Sequence, residues 1–301
     1  MGKTESHEIR AGIIGLGNMG GRVAQRIFET GFPIVGFDRS AEACARWDLP
    51  TTETITDLVA QSDIILISLP NTAVIEAVMY GEGGIVENAR AGQTVVDLST
   101  ASPESTRRIY ETLRQRDIAF IDGGLTGGVN SASTGTMTVM LGGDEEAIDS
   151  VRRLLDTFSS AAFRMGPSGA GHLAKVFTNF LNGVALAATA EVMVAAQIGG
   201  LNLPELLEVF NRGSAVNWAT RERFPHIVEG NYLEGGLTID LMMKDIGLYV
   251  DATRALHAPS LMGSSCFSAF QMASSLGYGD QISNRVVDAI GDLAGGVRVH
   301  E

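Results

Sequence analysis

Lysine is scarce in this chain. Only Lys3, Lys175 and Lys244 occur among 22 basic residues, so Arg is the general surface cation. Lys3 belongs to the polar first residues, which leaves two lysines for the folded body. Arg keeps its proton in any protein setting, whereas Lys can release it. Two readings follow: Lys is kept where a transferable proton or a compact charge is wanted, or two lysines survive by chance on a solvated surface. Cysteine is scarcer still. Cys44 and Cys266 are far apart and without metal spacing, which excludes a disulfide framework and fits free thiols in a reducing, cytoplasmic setting. No cluster of His, Cys and Asp suggests a metal, and none is expected. The net charge of −13, with no basic stripe to offset it, argues against nucleic acid as a partner. No apolar run reaches the length of about eighteen residues that a membrane span needs. Residues 1–8 are polar and lack the apolar core of a secretory signal.

What is present is a globular composition. With 301 residues, 45% of them hydrophobic and 19% charged, the chain can build about two domains around sizeable cores. Near its start an apolar run ends in Gly15-Leu16-Gly17-Asn18-Met19-Gly20, and helical spacing follows from Arg22 to Phe28. Strand, glycine turn and helix in this order suit a dinucleotide. Gly15 permits the turn, Gly17 lets backbone approach a pyrophosphate, and Gly20 lets helix and strand pack closely. Asp38 closes the next apolar run, Ile34 to Phe37, eighteen residues after Gly20. That is near the spacing of the acid that binds adenosine ribose hydroxyls, though a turn or helix-capping acid fits the same place. Arg39 beside it can accept a 2′-phosphate, so NAD is the expected cofactor and NADP is possible.

Further apolar runs at 64–67, 94–97, 119–121 and 137–141 end in polar or glycine-rich turns, with helical patterns such as 104–115 and 145–158 between them. The turn after the third of these runs spans Asp122 to Gly128. This alternation predicts an α/β fold, a Rossmann-type doubly wound, mostly parallel sheet whose ligand edge carries those turns. After Met165 only helical periodicity remains: 172–198, 204–211, 218–228, 241–255, 261–276 and 284–293. An all-α C-terminal domain is therefore expected, with the boundary placed between 1–167 and 168–301. Lys175 and Asn179 lie four apart on the first of these helices, hence on one face. Its first turns are expected at the cleft beside the sheet domain. Spacing alone leaves open whether the pair holds a substrate or is a solvated surface pair.

In sum of motifs the chain resembles the β-hydroxyacid dehydrogenase family over most of its length, from Arg10 to Leu293. Gly12 to Gly20 is similar to the cofactor motif of that family. Asp122-Gly123-Gly124-Leu125-Thr126-Gly127-Gly128 resembles its substrate-carboxylate loop, D-x-P-V-S-G-G. Gly169-Ala170-Gly171 through Lys175 to Asn179 resembles its G-x-G-x-x-x-K-x-x-N-N segment, and Leu241 to Asp245 its L-x-x-K-D segment. Gly124 stands for the usual Pro, Thr126 for Ser and Thr178 for the first Asn. Imine reductases of the same superfamily commonly carry Asp or Tyr at the lysine position, and 6-phosphogluconate dehydrogenases have a much larger C-terminal domain.

The resemblance implies that Gly15, Leu16, Gly17, Asn18 and Met19 wrap the pyrophosphate and that Asp38 holds the ribose. Leu69, Pro70 and Thr100 line the nicotinamide half, and Lys244 sits near the cofactor. Thr126, Gly127 and Gly128 hold the substrate carboxylate, Asn179 orients the substrate, and Lys175 is the acid/base. Trp218 is either a cleft-closing residue or a core aromatic, and His172 a structural one. The implied activity is hydride transfer between a nicotinamide and a small 3-hydroxy acid, such as hydroxyisobutyrate, glycerate or threonate. An imine reductase-like enzyme and a catalytically silent nucleotide-binding protein are the alternatives. A homodimer or homotetramer is expected from the apolar surface of 172–198 and 261–276.

Overall fold

The computed structural model describes residues 9–233 and 236–300. Lys3 and the polar stretch 1–8 fall outside the described residues. The chain divides into two compact units, Met1–Lys175 and Val176–Glu301. The division falls inside a long helix, Ala170–Ile198, later than the expected boundary after residue 167. The first turns of that helix thus belong with the sheet.

The first unit is built on seven strands: β1 (Ala11–Ile14), β2 (Ile34–Phe37), β3 (Ile64–Ile67), β4 (Thr94–Asp97), β5 (Ala119–Thr126), β6 (Met137–Gly142) and β7 (Ser159–Gly166). They form one sheet in the order β2-β1-β3-β4-β5-β6-β7. Every pairing is parallel except that of β5 with β6. The first strands read as unbroken apolar runs because both faces are covered. Ile64 and Leu66 join one core with Val23 and Ile27 of the helix Gly20–Glu29. Ile65 and Ile67 join another with Ile75 and Met79 of the helix Thr72–Tyr80. The helices after β1 and β3 therefore cover opposite faces, and the two loops part company at the carboxyl ends of these neighbouring strands. That is the crevice where open α/β sheets bind ligands. Local sequence fixes where these helices begin. Asn71 accepts from the Val74 N–H, and Ser102 caps Pro103–Arg114 with Pro103 in the first turn, where no N–H is missed.

Strand β7 and a short helix, Gly128–Thr134, stand where no element was expected, and two further segments differ in kind from the sequence expectation. The stretch Asp122 to Thr126 is strand rather than turn, paired with β6 from Asp122↔Gly142 to Thr126↔Thr138. Glycine weakens strands, but this buried stretch needs partners for its backbone groups, and the β6 ladder supplies them. The turn itself begins only at Gly127. Residues 145–158 form two short helices, Glu145–Ser150 and Arg152–Phe158, because Val151 leaves helical geometry at φ −100° and ψ 0°.

The named elements of the second unit are all helices among its described residues. Phe180, Leu186 and Met193 of the long helix pack with Phe224, Met242, Ile246, Phe270 and Val286 in one core. The long helix is apolar enough in length and composition to cross a membrane. Its buried face instead serves this core.

Candidate active site

Gly15 follows β1 with φ at +101°, and a Cβ there would stand 2.2 Å from the Ser68 carbonyl oxygen at the end of β3. Only glycine fits that turn. The next peptide is held on both sides. The Leu16 N–H donates to Asp38 Oδ2 at 2.8 Å, and the Leu16 carbonyl accepts from Trp47 Nε1 at 2.9 Å. Gly17 and Asn18 are exposed, Met19 is half-buried, and a Cβ on Gly17 would meet nothing within 4 Å. No side chain caps the helix Gly20–Glu29, and its first turn carries no acid. Its leading N–H groups and partial positive charge suit a pyrophosphate. The residues present thus fit a dinucleotide.

Asp38 uses its other oxygen, Oδ1, for the Ser40 N–H at 2.9 Å. Each oxygen keeps a lone pair for a ribose hydroxyl. Arg39 is exposed beside it. Trp47, through its bond to Leu16, braces the glycine turn. It stands on a short segment after β2, with no motif to mark it, and its ring covers Gly21. Trp47→Phe keeps an aromatic ring but deletes the donor and part of the indole. It is expected to cost about 1 kcal/mol of stability and to weaken NADH binding several-fold, as read by thermal unfolding and NADH fluorescence titration. NADH affinity within twofold of wild type would leave Trp47 a packing role alone.

Beneath the ends of β3 and β4 lies a buried polar chain. The Leu69 N–H donates to Ser99 Oγ at 2.9 Å, and the Ser99 N–H to Asp97 Oδ1 at 3.0 Å. His172 Nε2 faces the Asp97 carbonyl oxygen at 3.1 Å, and its Nδ1 faces Thr106 Oγ1 at 2.7 Å. Burial pushes the Asp97 carboxyl above its ordinary range, against the pull of His172 and the Ser99 hydrogen bonds. Leu69 and Thr100 are half-buried above this chain and Pro70 is exposed, all at strand carboxyl ends. His172 is fully buried, so its place is inside this scaffold.

β5 organises the rest of the first unit's site. Side chains alternate along a strand, so Asp122, Gly124 and Thr126 share a face. Asp122 is fully buried and its two oxygens accept the Gly169 and His172 N–H groups, at 2.7 and 2.8 Å. A carboxylate thereby caps the start of the long helix, where its charge also meets the positive helix end. Gly124, two residues on, lies against the Lys175 stem. Thr126 follows, half-buried, and its hydroxyl makes no hydrogen bond among the described residues. Gly127 and Gly128 come next, exposed, with φ at +124° and +79°. Lys175 itself is half-buried.

Asn179 and Lys244 belong to the second unit. Asn179 is buried, and its amide donates to Asp245 Oδ2 at 2.5 Å. Asp245 Oδ1 lies 3.0 Å from Lys244 Nζ. Asp245, itself 2% exposed, thus holds both residues that the sequence singled out. Its part was hidden because the partner of Asn179 stands 66 residues away. Trp218 is 60% exposed, which removes the reading as a core aromatic.

Residues 10–166 match the family described as the NAD binding domain of 6-phosphogluconate dehydrogenase. Residues 169–290 match the NAD-binding region of NADP-dependent 3-hydroxyisobutyrate dehydrogenase. The 2-(hydroxymethyl)glutarate dehydrogenase of Eubacterium barkeri is 29% identical over 95% of this chain and 96% of its own. The NAD-dependent L-serine dehydrogenase of Pseudomonas aeruginosa is 31% identical over 89% of this chain and 93% of its own. The crystal structure of 3-hydroxyisobutyrate dehydrogenase from Salmonella typhimurium superposes with a TM-score of 0.82 at 29% identity, covering 93% of this chain and 99% of that one. With both parts of its length matched in this way, the chain belongs to the β-hydroxyacid dehydrogenase family of nicotinamide-dependent oxidoreductases.

Proposed function

We propose that this chain interconverts a small 3-hydroxy acid and its semialdehyde or 3-oxo acid, with NAD preferred over NADP. The observation that carries the reading is the row Asp122, Gly124 and Thr126 on one face of β5 beside the helix start that bears Lys175. When bound, the nicotinamide supplies or accepts the hydride. The chain does the rest. Thr126 offers its hydroxyl, and Gly127 and Gly128 a turn with no side chains, to the substrate carboxylate. Asn179, turned by Asp245, orients the substrate. Lys175 gives a proton to the substrate oxygen on reduction and takes it back on oxidation. Gly15, Leu16, Gly17, Asn18 and Met19 hold the pyrophosphate. Asp38 accepts from the ribose and repels a 2′-phosphate, with Arg39 beside it working the other way. Leu69, Pro70 and Thr100 flank the nicotinamide, and Lys244 lies near the cofactor. In this reading 1–167 bind the cofactor, while 168–301 serve substrate and subunit contacts.

The test is a steady-state panel of hydroxyisobutyrate, glycerate, threonate and L-serine with each cofactor. Turnover of at least one acid is expected, with kcat/KM higher for NAD. No turnover of any would sink the substrate class. A preference for NADP above about tenfold, roughly 1.4 kcal/mol, would mean that Arg39 outweighs Asp38.

A homo-oligomer and a cytoplasmic setting complete the proposal. Phe177, Leu181, Val192 and Ile198 are exposed along the long helix, and Leu261 and Met262 stand exposed elsewhere in the second unit. Apolar surface of this kind marks interaction sites. Sedimentation should give a species at least twice 31.8 kDa; a lone monomer at micromolar concentration would exclude it. Cys44 and Cys266 are free thiols, and burial pushes the Cys266 thiol up to about 12, as suits an inert residue in a reducing compartment.

A further inference from the structure

We propose that Gly124 is a positioning residue for Lys175: the bare backbone of β5 at this point is the seat on which the lysine stem rests. This rests on the acid/base reading of Lys175 given above. A Cβ placed on Gly124 would stand 2.4 Å from Lys175 Cβ and 3.1 Å from its Cγ, with the Gly171 carbonyl oxygen at 3.2 Å. Ordinary contact begins at 3.4 Å, so a single methyl demands a shift of about 1 Å. The atom in its way is a Cβ fixed to helix backbone, not the far end of a flexible side chain.

The helix start has nowhere to retreat. Its N–H groups at Gly169 and His172 are tied to Asp122. Gly171 is packed so closely that a Cβ there would stand 2.3 Å from the Asp122 carbonyl oxygen. Cap and seat are both on β5, two residues apart on one face. The lysine's height above the sheet is thus set by what Gly124 lacks. Pro, usual at this place in the motif that the chain resembles, would bring the same Cβ. The glycine and the close seat of Lys175 therefore go together. A misplacement of about 1 Å is enough to cost up to about 10²-fold in rate.

The test is a cycle of wild type, Gly124→Ala, Lys175→Gly and the double variant. The readouts are kcat with whichever of L-serine, L-threonate and 3-hydroxyisobutyrate turns over fastest, KM for NAD, NADH binding by fluorescence, and the thermal midpoint. Gly124→Ala is expected to lose at least tenfold in kcat, with KM for NAD and NADH affinity within twofold, and to unfold at lower temperature. Lys175→Gly removes the Cβ that the new methyl would strike. The double variant should therefore unfold no lower than Lys175→Gly alone, the non-additivity of two groups in contact. A Gly124→Ala kcat within twofold of wild type, or the same midpoint loss in both backgrounds, overturns the proposal. If Gly124→Ala yields no folded protein, a folded double variant supports the seat, and an unfolded one overturns it. Turnover retained by Lys175→Gly would instead sink the acid/base reading, while the midpoints still decide the contact.

Discussion

Lys175→Met is expected to lose at least about 10²-fold in kcat, the low end for removal of a general acid/base, while NADH still binds. Hydride transfer to a carbonyl leaves negative charge on its oxygen, which must take a proton; the reverse reaction must remove one. The group responsible has to lie near that oxygen and exchange its proton near working pH. Among the described residues of the first unit's site, the candidates are few. His172 is fully buried, with both ring nitrogens engaged by Asp97 and Thr106. Asp122 is spent on the helix cap, and Asp38 on the glycine turn. Arg cannot release its proton. Lys175 is half-buried with its stem against Gly124 on the β5 row, and its ammonium form also steadies a developing oxyanion. Lys175→Arg should restore little, since Arg keeps the charge but not the exchangeable proton. Near-wild-type kcat for Lys175→Arg with an unchanged pH profile would reduce Lys175 to a charge and assign the proton to another group.

The first unit was legible where chemistry is local. Continuous apolar runs named β2, β3 and β4 to the residue, because a strand covered on both faces has no polar side to blur its ends. Spacing marked the glycine turn and the helix after it. Composition drew attention to Lys175 and Lys244 and spacing paired Lys175 with Asn179, but only the resemblance gave them roles. What stayed hidden was long-range. The Asp122 to Thr126 stretch reads as a turn by its glycines and becomes strand only because β6 returns antiparallel beside it. Trp47 on Leu16, and Asp245 on Asn179, join groups 31 and 66 residues apart, and no local pattern encodes either pair. The break at Val151 is hidden for another reason. Residues 145–158 keep a helical pattern across it, and one residue's backbone angles separate the two helices.

Asp122→Asn should be the most damaging single-atom change in the first unit, and for a reason independent of charge in the active site. Asp122 is fully buried and accepts two backbone N–H groups from the first turn of the long helix. Each hydrogen bond to a buried carboxylate is worth about 1.5–3 kcal/mol, and the negative charge is favoured again by the helix N-terminus. Asn can accept one of those N–H groups through its oxygen, but its NH₂ meets the other donor to donor. One effect works the other way: Asp122 is among the groups that push Asp97 up, so removing its charge eases the neighbouring carboxylate. That relief is the weakest of these influences on Asp97, behind burial, His172 and Ser99, and is the smaller effect here. The net expectation is a loss of about 2–3 kcal/mol in urea unfolding of the first unit, together with at least a tenfold fall in kcat, because the same tether holds the turn that leads to Lys175. Asp122→Ala should be no better, since it leaves both N–H groups unpaired in a dry site. Equilibrium unfolding and steady-state kinetics on the two variants check this. An Asp122→Asn protein within about 0.5 kcal/mol of wild type, with kcat unchanged, would mean that the glycine contacts alone place the helix and that the carboxylate is dispensable.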